Sequence, residues 1–273
     1  MKKIIFLALV YVSSLQALSL EEIIRTSLSK NPSLEVIEAR LQANKQNIAI
    51  ADKFANPELL ITKNTLDSTQ AMSTTTVTFK QKIPYYSKRE KRADIAISEE
   101  EILKEKLQLA KIQLVERIKN EAYTIWELRE TRNIINEYIA LTKRNIELYE
   151  SYTGISENQH MGIMKAELSL SDLQVQKTAL DAQIDTAYAN LSYLAAFKVA
   201  DLEISLKIQN RPVLEDLQQS LSLNPDIVLK DKEIQKQNAK VKLADINNYP
   251  DVNLLVGYGY REKFDNYFNK YDV

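Results

Sequence analysis

Ser27-Leu28-Ser29-Lys30-Asn31-Pro32 recurs as Ser220-Leu221-Ser222-Leu223-Asn224-Pro225, an offset of 193 residues (220 less 27). The same offset, held without a gap, sets Glu22 on Glu215, Gln42 on Gln235, Ala51-Asp52 on Ala244-Asp245 and Pro57 on Pro250. Hydrophobic class follows it: Leu20 meets Val213, Ile24 meets Leu217, Leu41 meets Ile234, Ile48 meets Val241 and Ile50 meets Leu243. Such a series in one register marks an internal duplication. The chain reads as a first unit over 18–210 and a second, incomplete one over 211–273.

Both copies predict the same elements. A short helical turn (Leu20–Leu28 and Val213–Leu221) stops at Asn-Pro, because the residue before proline is pushed out of the α region. A helix of about 25 residues starts at that proline, which suits a first helical turn, and closes before Pro57 or Pro250. Extended segments follow, Glu58–Thr65 in one copy and Asp251–Tyr260 in the other. Val252, Leu254, Val256, Tyr258 and Tyr260 alternate along the second with the period of a strand. In the first copy Ser73–Ile83, rich in threonine and β-favouring, completes a β-hairpin over 58–83 around the turn-like Asp67-Ser68-Thr69-Gln70. Strands of about 10 residues have the length of a tilted strand crossing a bilayer.

From Lys88 to near Tyr152 no proline or glycine interrupts a helical pattern. Leu103, Leu107, Ala110, Leu114, Ile118, Ala122, Ile125 and Leu128 step by three or four, a coiled-coil-like seam. At 1.5 Å per residue such a helix is roughly 100 Å long. Ile102, Leu109, Ile112, Val115, Ile134, Leu141 and Leu148 lie off the seam, so the helix packs between two neighbours, as in a closed ring. The chain reverses around Gly154–Gly162, and a second helix, through Leu168, Leu180, Ile184 and Leu191, returns to about Ala196. The predicted fold is mainly α with a few β strands: a long antiparallel helical hairpin over 88–197 and a β-hairpin in a duplicated frame.

Composition narrows the function. The 273 residues carry 36 Lys+Arg against 37 Asp+Glu, without the basic surplus that nucleic-acid binders show. With no cysteine and one histidine, disulfides, thiolate zinc sites and Cys nucleophiles are excluded. The four glycines, Gly154, Gly162, Gly257 and Gly259, form no phosphate-cradling pattern. No base, nucleophile and oxyanion donors assemble into a catalytic set, so no catalytic residue, metal ligand or cofactor is expected. Met1–Ala17 has the build of a secretory leader: Lys2 and Lys3, an apolar run Ile4–Val12, and a small-residue cleavage region Ser13-Ser14-Leu15-Gln16-Ala17. An uncleaved anchor is the alternative.

The order helix, β-hairpin, long helical hairpin, then the unit again resembles the TolC family of outer-membrane efflux proteins. The matching residues are Leu18–Glu22, Asn31-Pro32, Ala51-Asp52 with Pro57, Gln81-Lys82-Ile83-Pro84 with Lys88-Arg89, and Lys165-Ala166-Glu167-Leu168. Within it, the charged helices and Ala-rich second arm are most similar to the heavy-metal (cation) efflux branch. The resemblance implies a homotrimer whose strands share an outer-membrane β-barrel and whose helices form an α-barrel tunnel in the periplasm. It also implies a periplasmic adaptor (a membrane fusion protein) and an inner-membrane pump of the resistance–nodulation–division type, together an exit duct for small molecules or metal ions. The reversal, with Gly154, Ile155, Ser156, Gly162 and Ile163, is the implied adaptor contact. The second copy carries 23 residues beyond Pro250 (273 less 250), so a fragment or truncated form is expected, one that does not conduct by itself.

Four features have competing readings. His160 is a metal ligand or a solvated tip residue. Glu99-Glu100-Glu101 is a cation site or a charged helix face. Lys88-Arg89-Glu90-Lys91-Arg92 meets lipid phosphates or is a solvated helix start. Trp126 is a packing residue or a ligand contact. For the whole chain, a periplasmic coiled-coil adaptor or scaffold is the alternative function, one that glycine scarcity opposes.

Overall fold

Ser19 opens the first helix. Its Oγ accepts from the Glu22 amide at 3.3 Å, and Glu21 and Glu22 set negative charge at the positive end of the helix dipole. The computed structural model describes residues 18–64, 73–151, 157–204, 213–215 and 220–261; the proposed leader lies outside them. After a two-residue strand β1 (Leu18–Ser19), α1 (Leu20–Lys30) ends at Asn31, extended as a pre-proline residue should be (φ −72, ψ 120). Asn31 Oδ1 then accepts from the Ser33 amide at 2.9 Å at the start of α2 (Pro32–Ala51). That helix has 20 residues, not about 25: it stops in a turn at Asp52-Lys53, short of Pro57.

β2 (Glu58–Lys63) and β3 (Thr74–Ile83) form the expected antiparallel hairpin, in register from Glu58 opposite Lys80 to Lys63 opposite Thr75. The turn-like residues between them, with Thr65, lie outside the described set. α3 (Tyr86–Ser151) runs 66 residues and α4 (Glu157–Ala195) 39. Ala196 follows α4 at φ 61, the left-handed helix stop usually given to glycine. β4 (Leu202–Glu203) pairs in parallel with β1, a contact that two-residue strands do not announce in sequence. In the second copy Leu221–Leu223 form a 3-10 turn where the first has α-helix, and residues 216–219 of the expected helical turn lie outside the description. α5 (Pro225–Asn247) begins with Asn224 Oδ1 accepting from the Asp226 amide at 2.9 Å, the Asn31 arrangement again. β5 (Val252–Arg261) follows.

The chain divides into two compact units. One comprises Met1–Val36 and Leu107–Leu214. Its core holds the predicted seam: Ile118, Ala122 and Ile125 of α3 are fully buried with Ile23 of α1 and Leu191 and Ala195 of α4. The other comprises Ile37–Lys106 and Glu215–Val273. There Asn44 Nδ2 donates to the Ala96 carbonyl at 2.8 Å, and Ile102, Leu103 and Leu229 are buried. The same unit holds the three-stranded sheet β2-β3-β5, all antiparallel, with β3 central. By the 193-residue offset β5 corresponds to β2, so the two equivalent strands flank the same partner.

Candidate functional site

Residues directly opposite in a sheet share a face, so the register sorts the β2-β3-β5 sheet into two chemistries. On one face lie the rows Ile61–Val77–Tyr258 and Leu59–Phe79–Val256, continued by Leu254 and by Ile83–Val252. Apart from Gln81, with Lys63 and Thr75 in the Tyr260 row, this face is apolar. It is also exposed: Leu59 67%, Val256 59%, Tyr258 74%. On the other face lie Thr62–Thr76–Gly259, Leu60–Thr78–Gly257, Glu58–Lys80–Leu255, Lys82–Asn253 and Thr74–Arg261. Polar and small residues dominate here; Leu60 and Leu255 are the exceptions. β3 and β5 each have 10 residues, the span of a bilayer-crossing strand. An exposed apolar face of this extent is a surface for lipid or protein. Neither edge, β2 or β5, has a partner strand among the described residues.

Aromatic residues bracket the apolar rows. Tyr258 and Tyr260 stand at one end. At the other, where β3 passes into α3 and α5 into β5, Tyr85 stacks on Tyr249 (centroids 4.9 Å apart) and touches Tyr86. An ion cluster joins them. Lys88 Nζ donates to the Tyr249 carbonyl at 2.6 Å and to Asp251 Oδ1 at 2.8 Å, while Lys82 Nζ lies 3.3 Å from Asp251 Oδ2. The Tyr85 amide also donates to Asp251 Oδ1. The Lys88 hydrogen bond, then that amide, holds the Asp251 carboxyl at about 2, below its ordinary 3.8. Lys88 is thus neither lipid-facing nor solvated, a correction to both sequence readings: its side chain is 5% exposed and spent on Asp251.

The Glu99-Glu100-Glu101 run is an ion-pairing face. Glu99 pairs with Lys236, Glu101 with Lys232 at 2.9 Å, and Glu100 with Lys104 at 2.8 Å, so the lysines of α5 claim two of the three carboxylates. Sequence reasoning missed a cluster in the other unit. Arg129 pairs with Asp201 and donates to the Leu202 carbonyl at 2.9 Å, its guanidinium 5.3 Å from the Tyr188 ring centroid. Arg129 lowers the Asp201 pKa, and burial raises that of Tyr188. The cluster fixes β4 for pairing with β1. A half-open cleft of about 570 Å³ in that unit is walled by Asn31, Leu34, Leu114, Arg117 and Tyr193.

The repeat markers sit at element boundaries. Asn31 and Asn224 precede helices that begin at Pro32 and Pro225; Asn31 Nδ2 also donates to the Leu194 carbonyl at 3.0 Å. Ala51 ends α2, Asp52 follows it, and Pro57 immediately precedes β2. Ala244 and Asp245 lie in the last turn of α5, where the Asp245 carbonyl accepts from the Asn248 amide, and Pro250 precedes β5 by two residues. Gly154, Ile155 and Ser156 lie outside the described residues. Gly162 and Ile163 fall inside α4, not in the reversal, and a Cβ on Gly162 would stand 3.9 Å from Tyr149 of α3. His160 is helical, its side chain outside the description; Trp126 is half-buried on α3.

The helices carry further exposed apolar lines at seven-residue spacing: Ile134, Leu141, Leu148 on α3; Met161, Leu168, Val175 on α4; Ile227, Ile234, Val241 on α5. Of the off-seam set on α3, Ile102 is buried and Ile112, Ile134, Leu141 and Leu148 are exposed. The second neighbour expected for that side is not supplied by the described chain. Seven-residue apolar spacing is the seam of helix pairing.

No protein-family profile matches the sequence, and no curated relative is similar to it. Solved structures are similar in fold. The outer membrane protein VceC of Vibrio cholerae superposes with a TM-score of 0.69 at 17% identity, covering 92% of this chain and 65% of its own. The MtrE outer membrane channel of Neisseria gonorrhoeae gives 0.69 at 13% identity, covering 92% and 65%. The CmeC outer membrane channel of Campylobacter jejuni gives 0.65 at 13%, covering 90% and 61%. The chain therefore has the fold of TolC-type outer-membrane channels, as its sequence pattern implied, and spans about two thirds of their length.

Proposed function

We propose that this chain is a subunit of an outer-membrane efflux duct, a passive exit path for small molecules or metal ions. The observation that carries the reading is the β2-β3-β5 sheet, with an exposed apolar face, a polar face and, in β3 and β5, strands of bilayer-crossing length. Two open edges cannot rest in hydrocarbon, where each unsatisfied backbone group costs several kcal/mol. Closure with strands of further copies satisfies them, in a trimer by the resemblance stated above. The exposed seven-residue lines on α3, α4 and α5 give the helices of neighbouring copies a packing surface. The segment joining α3 and α4, with Gly154, Ile155 and Ser156, and the start of α4, with Gly162 and Ile163, meet a periplasmic adaptor that connects to an inner-membrane pump of the resistance–nodulation–division type. No reaction is catalysed: transport energy comes from the pump, and the duct contributes a wall. The leader, Met1–Ala17, directs export and is removed.

Fractionation and protease protection test the reading. Expressed with its leader, and with the partner strands that close its sheet supplied, the protein is expected in outer membranes, beginning at Leu18, with 58–63, 74–83 and 252–261 protected from protease. A stable monomer in the cytoplasm that retains Met1–Ala17 refutes it.

A further inference from the structure

At the sheet-to-helix junction the carboxylates are outnumbered and already engaged. Asp251 is held by Lys88 and Lys82, and Asp94 and Glu90 by Lys91 at 2.8 and 3.4 Å. Arg89 and Arg92 are left without a carboxylate partner among the described residues. Arg89 is not simply solvated. Its guanidinium lies 4.2 Å from the centroid of the Phe54 ring, and its Nε is buried with no hydrogen-bond acceptor. The remaining edge of the guanidinium carries the group's hydrogen-bonding capacity. Arg89 also stands in the first turn of α3, which contains no acidic residue, so the positive end of the helix dipole adds to its charge.

The surroundings specify the anion. Phe54 is 52%, Tyr86 72% and Tyr249 52% exposed, three or four residues beyond strands whose exposed face is apolar. Exposed tyrosines beside a guanidinium, just past an apolar band, have the composition of a membrane–water boundary. The anion of highest density there is the phosphodiester of a phospholipid headgroup, which a planar guanidinium binds through two parallel N–H donors.

We infer that Arg89, held over the Phe54 ring at the same sheet-to-helix junction as the exposed tyrosines, binds the phosphate of a phospholipid headgroup and anchors the sheet at its depth in the bilayer. The inference rests on the membrane reading of the sheet. The Nη edge of Arg89 faces the phosphate while the Phe54 ring holds the group in place, so the shape of the group matters as well as its charge.

Vesicle flotation followed by native mass spectrometry of the full chain tests this, with phosphatidylethanolamine–phosphatidylglycerol vesicles as the probe. Arg89→Gln is expected to lower phospholipid retention by more than the roughly fivefold that loss of any one basic residue at a membrane surface brings. Arg89→Lys keeps the charge without the planar fork and rescues it only in part. Arg92→Gln, which removes the same charge without a ring contact, reads the generic charge effect alone and is expected to lower retention less than Arg89→Gln; an equal loss from the two overturns the site at Arg89. Inorganic phosphate, added as a competitor, is expected not to displace the lipid. Displacement at equal total anion would make free phosphate the ligand of Arg89 and overturn the lipid assignment. A wild-type chain that fails to float removes the membrane reading together with this one. A chain that floats, with Arg89→Gln retaining as much lipid as wild type, overturns this inference alone. Circular dichroism of each variant separates lost binding from lost folding.

Discussion

The two-faced sheet makes a prediction whose sign depends on one-residue register. Val77 lies between Ile61 and Tyr258 on the apolar face; Thr78, its neighbour in β3, lies between Leu60 and Gly257 on the other. Arginine at either position changes the net charge equally, in the same strand and at nearly the same depth. Val77 is one and a half residues from the centre of the ten-residue strand, about 5 Å along it at ~3.3 Å per residue. That is well inside the half-height of an apolar band about 25 Å tall. Val77→Arg is therefore expected to cost about 2–4 kcal/mol of membrane-inserted stability, the range for a basic residue facing lipid near the midplane. Thr78→Arg, with room above Gly257, is expected within about 0.5 kcal/mol of wild type. Urea titration of the vesicle-inserted protein reads both; about 2 kcal/mol is roughly a thirtyfold change in the inserted-to-unfolded ratio. Equal damage from the two substitutions, or greater damage from Thr78→Arg, refutes the assignment of the faces.

Three further outcomes follow from the geometry. Gly257→Ala is expected to destabilise the sheet more than Gly259→Ala in parallel thermal melts, because the new Cβ meets Thr78 Oγ1 at 3.3 Å in the first case and Thr76 Oγ1 at 3.5 Å in the second. Asp251 has a folded pKa below its unfolded value, so its contribution is complete above 3.8 and fades as pH falls through about 2. The difference in melting temperature between wild type and Asp251→Asn should hold down to that window and close within it; a gap that widens on acidification contradicts the clasp. Asn31→Ala loses both a helix cap and the bond to the Leu194 carbonyl, whereas Asn224→Ala loses the cap alone. Denaturant titration should show the first destabilised by about 1 kcal/mol or more beyond the second, with the lower midpoint.

Those positions also mark how far a sequence can be read. The 66-residue α3 was legible because nothing from Tyr86 to Ser151 breaks a helix, and its seam because Leu114, Ile118, Ala122 and Ile125 recur at helical spacing. The strands were legible from the alternation of Val252 to Tyr260. Which strand lies beside which was not, since period two fixes the faces of a strand and leaves its neighbour open. Thr78 and Gly257 are opposed across 179 residues of chain, and only the fold supplies that pairing. Charge is harder still. Lys88 and Arg89 are adjacent members of one basic run, and the run reads alike at every position. Folding parts them: Asp251, 163 residues away, neutralises Lys88 in a nearly closed site, and Arg89 is turned onto Phe54 with no carboxylate partner among the described residues. A basic residue answered by the chain's own carboxylate holds the junction together. One left unanswered beside exposed aromatics is available to an anion from outside. The distinction is made by three-dimensional neighbours, and it puts the strongest candidate for a ligand contact one residue away from a purely structural lysine.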